Sequence, residues 1–437
     1  MIGTALFAAA LAVTTASPEE LDFVRGRVQK SEFLPGTPES DALRFYSSTQ
    51  NNEFVEFNYD EAKAGVLGRD YTLEDPLTFA DGRRVTGASD WAARRREILD
   101  IFEREVYGRM PPKPDAMSFD MVSDELSEDR FARLRVYRQY FRSDKTGPAV
   151  DWFVVVPCHA KGRSPVFLHL NYAGIEKIAQ KKTNHYDLPW DQLVAHGYGF
   201  MSARYTQISG DGGKRGGVFN GVCELWGPRD FFKKDNPGSL IIWAWGLCRG
   251  LDLAERIPEL DASRNVVIGS SRLGKAALLA AAFDERFTVC IPNQTGAVGV
   301  QLMKRNYGES LKGQRLSLPH WYCGNVWKYA DNPRSMPFDQ HLLLACVAPR
   351  ALLLECYHKK WFDPKGEWLA AKAAEPVWRL LVGRGLDADD WPEPYSERLV
   401  EPPFGYVRRT ECHGLSPYDW KWAMDFADKA LSATGSR

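Results

Sequence analysis

The chain of 437 residues has almost no net charge, because 56 lysines and arginines face 57 aspartates and glutamates. It therefore lacks the basic excess with which proteins attract nucleic acids or anionic membranes. It also lacks any apolar segment of the ~20 residues that a helix needs to cross a bilayer. No H-E-x-x-H, P-loop or dinucleotide-binding glycine pattern occurs, so the sequence indicates no metal, nucleotide or flavin cofactor.

Closely spaced cysteine pairs are absent as well. The eight cysteines are scattered, and none forms a C-x-x-C pair, which argues against a zinc site or a thioredoxin-type site. Cys290, Cys346 and Cys356 stand in apolar, strand-like runs, where a free cysteine is expected to be a core residue. An exported protein allows disulfides, but the sequence does not pair these cysteines.

The amino terminus carries an apolar stretch over residues 1–16, with small residues before Pro18. This pattern is typical of a secretory signal peptide cut near Ala16, although only the α-amino group supplies positive charge. An ordinary buried helix is disfavoured, since the stretch has no amphipathic stripe. We expect a secreted or periplasmic protein in which residues 17–70 form an extension that wraps a catalytic domain over residues 71–437.

Strand-like and helical patterns alternate along the rest of the chain. Continuous apolar runs at 150–157 and 165–172 are typical of strands buried on both faces. Helices are expected over 90–108, 241–257 and 420–432. Alternation of this kind predicts an α/β fold with a mostly parallel sheet between two layers of helices. Further strands are expected at 131–141, 199–203, 265–269, 287–292 and 350–357.

The run 266–280 places a Gly-Ser-Ser turn between a β-branched strand pattern and an Ala/Leu-rich helix pattern. This context predicts a nucleophile elbow, in which a sharp turn lifts the hydroxyl of Ser271 above the sheet. The glycines stand as G-x-S-x-x-G around Ser271, which departs from the usual G-x-S-x-G. The alternative is a tight turn in which Ser270 or Ser271 only caps the helix. The elbow predicts acyl transfer in an α/β-hydrolase fold.

A serine of this kind needs a histidine base, which follows the serine and the acid in α/β-hydrolases. His413 lies in a loop between the last strand-like run and the final helix, where this fold places its base. His341 precedes an apolar run and is expected to be a structural histidine. His358 belongs to a loop with two lysines after it. We therefore expect His413 to be the base.

The segment 268–275, Ile-Gly-Ser-Ser-Arg-Leu-Gly-Lys, resembles the G-x-S-R-x-G-K elbow of carbohydrate esterase family 15, the glucuronoyl esterases. The similarity to bacterial members runs from about Tyr59 to Phe426. It implies an α/β-hydrolase that cleaves the ester between 4-O-methyl-glucuronic acid on xylan and a lignin alcohol. The other matching blocks are 243–246, 337–341, 348–350, 361–367 and 413–416.

The same resemblance assigns roles to residues around the elbow. It implies that Ser271 is the nucleophile, that Arg272 helps to hold the oxyanion, and that Lys275, Glu309 and Trp361 bind the sugar. A guanidinium is always charged and can donate to a developing alkoxide. Without the resemblance, the lysine would be a solvated helix residue, the tryptophan a core residue and the glutamate a surface charge.

The acid of the triad is missing from both positions where family members carry it. Gln294 stands 23 residues after Ser271, and Lys359 stands two residues before the tryptophan. An amide in place of the acid can favour the wrong imidazole tautomer, which costs about 10⁴ in rate in serine proteases. A neighbouring lysine would also disfavour the imidazolium. Asp363 is assigned as the replacement acid, and Glu355 is the other candidate. The alternatives are that the Ser271–His413 pair works slowly without an acid, or that hydrolysis has been lost and only sugar binding remains.

Three hypotheses remain at this point. The first is a serine esterase that acts on glucuronoxylan, and the second is an acetyl esterase of plant polysaccharides. The third is a non-catalytic carbohydrate-binding protein on the same scaffold, because both usual acid positions are changed. In each case we expect a monomer without a cofactor and without a nucleic-acid or membrane partner.

Overall fold

The structure is a computed structural model that describes residues 60–180, 188–212, 220–226, 234–357, 360–410 and 413–434. The expected signal peptide, most of the expected extension, His358 and Lys359 lie outside the described residues. Among the helices in the described ranges, none is both long and apolar enough to cross a membrane.

One sheet of nine strands runs through the described residues, in the order β1-β2-β3-β5-β4-β6-β7-β8-β9. The strands from β5 onward in that order pair in parallel, whereas β1, β2, β3 and β5 pair antiparallel. The predicted α/β fold with a mostly parallel sheet is therefore confirmed. The strands are β1 (Ser118–Leu126), β2 (Ala132–Tyr140), β3 (Ala149–Pro157), β4 (Ser164–Asn171), β5 (Gly199–Arg204), β6 (Leu260–Ser270), β7 (Val289–Asn293), β8 (Ala351–Tyr357) and β9 (Phe404–Arg409).

Helices cover both faces of the sheet. One apolar core includes Trp243, Leu278 and Trp378, and a second core on the other face includes Phe167 and Trp420. The α-helices are α1 (Ala88–Phe102), α2 (Ile175–Ala179), α3 (Trp190–Ala195), α4 (Tyr205–Ile208), α5 (Ser239–Ala254), α6 (Arg272–Phe283), α7 (Leu311–Ser317), α8 (Gln340–Ala345), α9 (Pro364–Val382) and α10 (Pro417–Thr434). Short 3₁₀ turns lie at Val222–Trp226, Pro319–Trp321, Gly324–Tyr329, Pro333–Ser335 and Lys360–Phe362.

Most of the predicted elements are present, with shifted ends. The helix expected over 90–108 is α1 followed by a π-helical turn, Glu103–Tyr107, and it stops at Gly108, whose φ of 79° favours glycine. Strand β1 was not predicted from the sequence. It is an edge strand without a fully buried face, so its apolar residues do not alternate in the way that marks a half-buried strand.

The segment before α1 is tied to the loop that follows β7. The Gly65 N–H donates to the Arg305 carbonyl at 2.8 Å, and Glu61 accepts from the Arg305 guanidinium at 2.7 Å. The neighbouring Lys304 ammonium lies 2.6 Å from the Glu74 carboxylate. These contacts fix the start of the loop that leads to Glu309.

Two structural predictions about single residues are confirmed. His341 is buried, and its Nε2 atom lies 2.7 Å from the Glu74 carbonyl oxygen, so this ring is a structural donor. Burial lowers the pKa of His341 to about 4. Cys290, Cys346 and Cys356 are buried in the core, as their apolar surroundings predicted.

Candidate active site

The turn at Ser271 has the geometry of a nucleophile elbow. Ser271 joins β6 to α6 with φ 60° and ψ −129°, a conformation that L-residues adopt only where the surrounding structure holds them. Its N–H donates to the Asn293 carbonyl at 2.9 Å. The turn is so tight that a Cβ atom on Gly274 would lie 2.8 Å from the backbone oxygens of Gly269 and Asn293.

The alternative interpretation, a serine that only caps the helix, does not fit this geometry. Ser271 makes no capping hydrogen bond with its side chain at the start of α6. The side chain is half-buried rather than enclosed. Strained residues cluster at catalytic sites, where strain holds a reactive group in place.

A fixed positive charge lies beside Ser271. Arg272, the first residue of α6, forms an ion pair with Asp211. Its guanidinium lies 4.9 Å from the ring centre of Trp321 and 5.9 Å from that of Tyr172. The first N–H groups of a helix have no partner within the helix, so Arg272 offers both a backbone N–H and a guanidinium directly after Ser271.

Asp211 is held by its own set of donors. Its Oδ1 atom accepts from Trp321 Nε1 at 2.8 Å and lies 3.0 Å from His320 Nε2, and its Oδ2 atom accepts from the Tyr205 hydroxyl at 2.8 Å. Burial alone would raise the pKa of Asp211, but the hydrogen bond with His320 and the charge of Arg272 hold it below its usual range. The carboxylate therefore stays ionised and fixes the guanidinium.

Asp211 was not predicted from the sequence. It precedes Arg272 by 61 residues, and no motif links the two. The only local signal is an aspartate beside glycines, which is typical of any loop.

Lys275 lies on α6, one turn after Ser271, and only 4% of it is exposed. Its ammonium nitrogen is 5.2 Å from the ring centre of Trp321. Burial lowers the pKa of Lys275 to about 8, although the negative charge of Glu309 partly opposes this shift. The lysine is thus not the solvated helix residue that the sequence alone allowed.

Glu309 is the counter-charge of Lys275. Burial raises the pKa of Glu309, and the positive charge of Lys275 opposes that shift. One of its carboxylate oxygens accepts from the Ala297 N–H at 3.2 Å. Its backbone N–H donates to the Trp361 carbonyl at 2.7 Å. The structure therefore brings together three residues to which the resemblance gave sugar-binding roles.

A row of aromatic rings connects Trp361 with His413. Trp361 packs edge-on against Phe362 with ring centres 5.5 Å apart, and Phe362 lies 4.9 Å from the His413 ring. Tyr357, the last residue of β8, stacks on His413 at 6.3 Å. The imidazole plane is therefore set by packing.

The Nδ1 atom of His413 lies 2.7 Å from the side-chain oxygen of Gln294. Gln294 directly follows Asn293, which receives the hydrogen bond from the Ser271 N–H. The elbow and the predicted base thus meet at the end of β7. Lys359, which the sequence placed near this histidine, is outside the described residues.

Asp363 does not occupy the position of a triad acid, which corrects the assignment made from the sequence. Its carboxylate pairs with Arg305 at 3.0 and 3.1 Å and caps α9 through the Gly366 N–H at 3.0 Å. Burial raises the pKa of Asp363 to about 6, and Arg305 opposes the shift. Asp363 directly precedes Pro364, the first residue of α9, so its carboxylate acts as the N-cap of that helix.

Glu355 is also engaged elsewhere. It is buried in β8, and its carboxylate accepts from the Asn293 side-chain amide at 2.9 Å. Burial raises the pKa of Glu355 well above its usual value, and the nearby charge of Asp419 adds to the shift. This carboxyl group therefore holds the side chain of Asn293 at the end of β7.

Acyl transfer is the chemistry that suits a strained serine at the end of a parallel strand, a packed histidine in the last loop and a clamped guanidinium. The fold and this site define the class of serine ester hydrolases with the α/β-hydrolase fold. Comparison with known proteins narrows the class to one family. Carbohydrate esterase MZ0003, from an unknown prokaryotic organism, is 33% identical over 408 aligned positions, which cover 86% of this chain and 92% of that protein. The chain belongs to carbohydrate esterase family 15.

Further similarities agree with this family. The sequence model described as "Glucuronyl esterase, fungi" matches residues 227–382. The 4-O-methyl-glucuronoyl methylesterase of Podospora anserina is 27% identical, over 71% of this chain and 60% of that protein. Among solved structures, a glucuronoyl esterase from Solibacter usitatus is 32% identical with a TM-score of 0.76, covering 85% of this chain and 100% of that one. A promiscuous CE15 esterase from a marine bacterial metagenome has 32% identity, a TM-score of 0.75 and coverage of 86% and 100%.

Proposed function

We propose that this protein hydrolyses esters of 4-O-methyl-glucuronic acid, such as those that join glucuronoxylan to lignin alcohols. The observation that carries this proposal is the opposed pair Lys275 and Glu309, whose lysine lies one helical turn after Ser271. A buried cation and a half-buried carboxylate offer a donor and an acceptor to neighbouring hydroxyls of a sugar ring. Membership of carbohydrate esterase family 15 supports the same substrate class.

In acylation, the Ser271 oxygen attacks the ester carbonyl carbon and His413 Nε2 accepts the hydroxyl proton. The carbonyl π electrons move to its oxygen, and the resulting oxyanion lies beside Arg272. That side chain is already fixed by Asp211, so it requires no reorganisation as negative charge develops. When the tetrahedral intermediate collapses, the alcohol leaves with the proton from His413, and the uronoyl group remains esterified to Ser271.

Deacylation repeats these steps with water. His413 accepts a proton from the water molecule, whose oxygen attacks the acyl carbon. The second oxyanion again lies beside Arg272, and its collapse breaks the bond to Ser271. The serine oxygen recovers the proton from His413, and the uronic acid is released. The half-burial of Ser271 and His413 leaves both reachable from solvent.

Trp361 completes the sugar site in this proposal. Its half-buried ring lies nearly perpendicular to that of Phe362, and its exposed part offers an apolar surface to a pyranose ring. The hydrogen bond from the Glu309 N–H to the Trp361 carbonyl fixes the spacing between the acceptor and this ring.

The test is hydrolysis of benzyl glucuronate by the purified protein, with Ser271→Ala as the decisive variant. Ser270→Ala is the matched control, because Ser270 is the preceding residue and its side chain is buried under the turn. We expect turnover that survives in Ser270→Ala and is lost in Ser271→Ala. Unchanged turnover in Ser271→Ala contradicts the proposal.

The same assay separates the other two hypotheses from this one. Faster turnover of acetylated xylan than of benzyl glucuronate would favour an acetyl esterase. Saturable binding of glucuronoxylan fragments without any hydrolysis would favour a carbohydrate-binding protein. The comparisons favour neither alternative, since relatives named above are glucuronoyl esterases.

Export is part of the proposal, because residues 1–16 have the pattern of a secretory signal. Xylan and lignin lie outside cells, so the enzyme must reach them there. We expect the exported protein to begin after Ala16, which mass spectrometry of the secreted chain will check. We also propose that it acts as a monomer, to be checked by light scattering.

A further inference from the structure

The Gln294 side chain has one possible orientation. Its Oε1 atom lies 3.0 Å from the Gly414 backbone nitrogen, and its Nε2 atom lies 3.3 Å from the Gly414 carbonyl oxygen. A backbone N–H only donates and a carbonyl oxygen only accepts. The reverse orientation of the amide would break both hydrogen bonds, so the atom that faces His413 at 2.7 Å is the oxygen.

The rest of Gln294 is equally fixed. Its backbone has a φ of 49°, and its N–H donates to the Glu355 carbonyl at 2.8 Å. Only 1% of the residue is exposed. On the other side of the contact, Phe362 and Tyr357 hold the plane of the His413 ring. On the amide side, the contact is therefore fixed by backbone hydrogen bonds and burial.

From this geometry we propose that Gln294 is a positioning residue that replaces the triad acid without carrying its charge. An amide oxygen can only accept, so Nδ1 of His413 must carry the proton of the neutral ring. The lone pair is then on Nε2, the nitrogen that has to take the proton of Ser271 in the proposed esterase reaction. The wrong tautomer, which an amide at this position was expected to allow, is excluded by the Gly414 backbone.

An amide at Nδ1 of His413 does not supply the charge of a carboxylate. A carboxylate stabilises the imidazolium that forms in the transition state, whereas a neutral amide supplies only a dipole. We therefore infer a slow esterase with a correctly arranged serine and histidine, rather than a scaffold that has lost hydrolysis. This inference rests on the proposed function for its kinetic test, but its tautomer can be tested without a substrate.

The kinetic test compares Gln294→Glu and Gln294→Met with the wild-type protein on benzyl glucuronate. Glutamate keeps the acceptor and restores the charge, so we expect kcat to rise about tenfold or more. Methionine keeps the length and removes the acceptor, so we expect kcat to fall about 100-fold. KM should change by less than about threefold in both, since Gln294 contacts the base rather than the sugar. Wild-type kcat in Gln294→Met, or a lower kcat in Gln294→Glu, would overturn the proposal.

A spectroscopic test reads the tautomer in the wild-type protein and needs no substitution of Gln294. ¹⁵N NMR of the histidine-labelled wild-type protein, with His413→Gln to assign the signals, reports which ring nitrogen carries the proton. At a pH where the ring is neutral we expect a protonated Nδ1 and an unprotonated Nε2. The opposite tautomer would overturn the role of Gln294. The expected tautomer in a protein without turnover would instead contradict the proposed function alone.

Discussion

The guanidinium of Arg272 is paired with the carboxylate of Asp211, which lies 61 residues earlier in the chain and is itself completely buried as a side chain. Three further donors point at that carboxylate, so the position of the positive charge beside Ser271 is fixed before any substrate binds. Asp211 therefore has a role distinct from that of Arg272, because Arg272 carries the positive charge and Asp211 fixes its position.

Replacing Asp211 by asparagine should lower kcat about 10- to 100-fold, less than the roughly 100- to 1,000-fold cost of removing an oxyanion donor, because the guanidinium itself remains. Asparagine keeps the size of the side chain but cannot hold the guanidinium by charge. KM for benzyl glucuronate should stay within about threefold, because asparagine can still accept the hydrogen bond from Trp321, whose ring faces Lys275. The matched control is Asp81→Asn, which removes an exposed pair with Arg83 and should not change kcat. Equal rates for Asp211→Asn and the wild type would contradict the role of the clamp.

Replacing Lys275 by methionine should raise KM about tenfold or more, the loss of a charge-assisted hydrogen bond to substrate. Methionine fills the volume of the buried methylene groups, so packing around Trp321 is retained. The matched control is Lys421→Met, which removes an exposed lysine paired with Glu397 and Asp425. Steady-state kinetics on benzyl glucuronate will show whether only the buried lysine matters. An unchanged KM in Lys275→Met would exclude it from the sugar site.

The depressed pKa of Lys275 predicts how substrate binding depends on pH. Burial lowers this pKa to about 8, so the ammonium group loses its proton as pH rises through that value. A neutral amine is a weaker donor to a sugar hydroxyl than an ammonium group. We expect KM to increase between about pH 7 and pH 9 in the wild type and to stay flat in Lys275→Met. A parallel increase in both proteins would assign the effect to another group.

Asp363 should matter for stability rather than for catalysis. Asp363→Ala leaves the buried guanidinium of Arg305 without this carboxylate and removes the cap of α9, so we expect about 3–5 kcal/mol less free energy of unfolding. Asp363→Asn can still cap the helix and should keep kcat within about threefold. Urea denaturation and benzyl glucuronate turnover will measure the two effects. Asp390→Ala, at an exposed pair with Arg398, is the control for stability. A large loss of kcat in a stable Asp363→Asn would restore Asp363 as a triad acid.

The tightness of the elbow predicts a difference between two glycine substitutions. Gly274→Ala would place a methyl group against backbone oxygens at 2.8 Å, whereas Gly162→Ala would meet nothing within 4 Å. We expect Gly274→Ala to lose about 2 kcal/mol or more of unfolding free energy and most activity, because backbone cannot move aside as a side chain can. Gly162→Ala should be nearly neutral. Thermal denaturation of both variants will check this, and similar stability in the two would show that the turn can relax.

The sequence predicted whatever depends on residues close together in the chain. Strand β6, the turn at Ser271 and helix α6 are consecutive in the chain, so the sequence pattern predicted them together. The alternation of strand and helix patterns predicted the sheet. The position of His413 followed from the order of elements in the fold. The edge strand β1 was not predicted, because neither of its faces is fully buried and its sequence therefore lacks the alternating apolar pattern.

What the sequence could not predict is which distant residues meet. The sequence allowed Asp363 to be the acid of the triad. In the structure its carboxylate instead binds Arg305 and caps α9, and no sequence pattern predicts these two contacts. Gln294 looked like a defect because its amide has two orientations in isolation. Only the Gly414 backbone, 120 residues later, selects one of them.

The contact between Glu61 and Arg305 constrains when the segment around Glu61 can dock during synthesis of the chain. The two residues are 244 positions apart, and Arg305 also needs Asp363. During synthesis, the segment around Glu61 emerges early but has no docking place until both partners have been made. The loop that leads to Glu309 can therefore be tied to the first part of the described chain only after Arg305 and Asp363 have been synthesised.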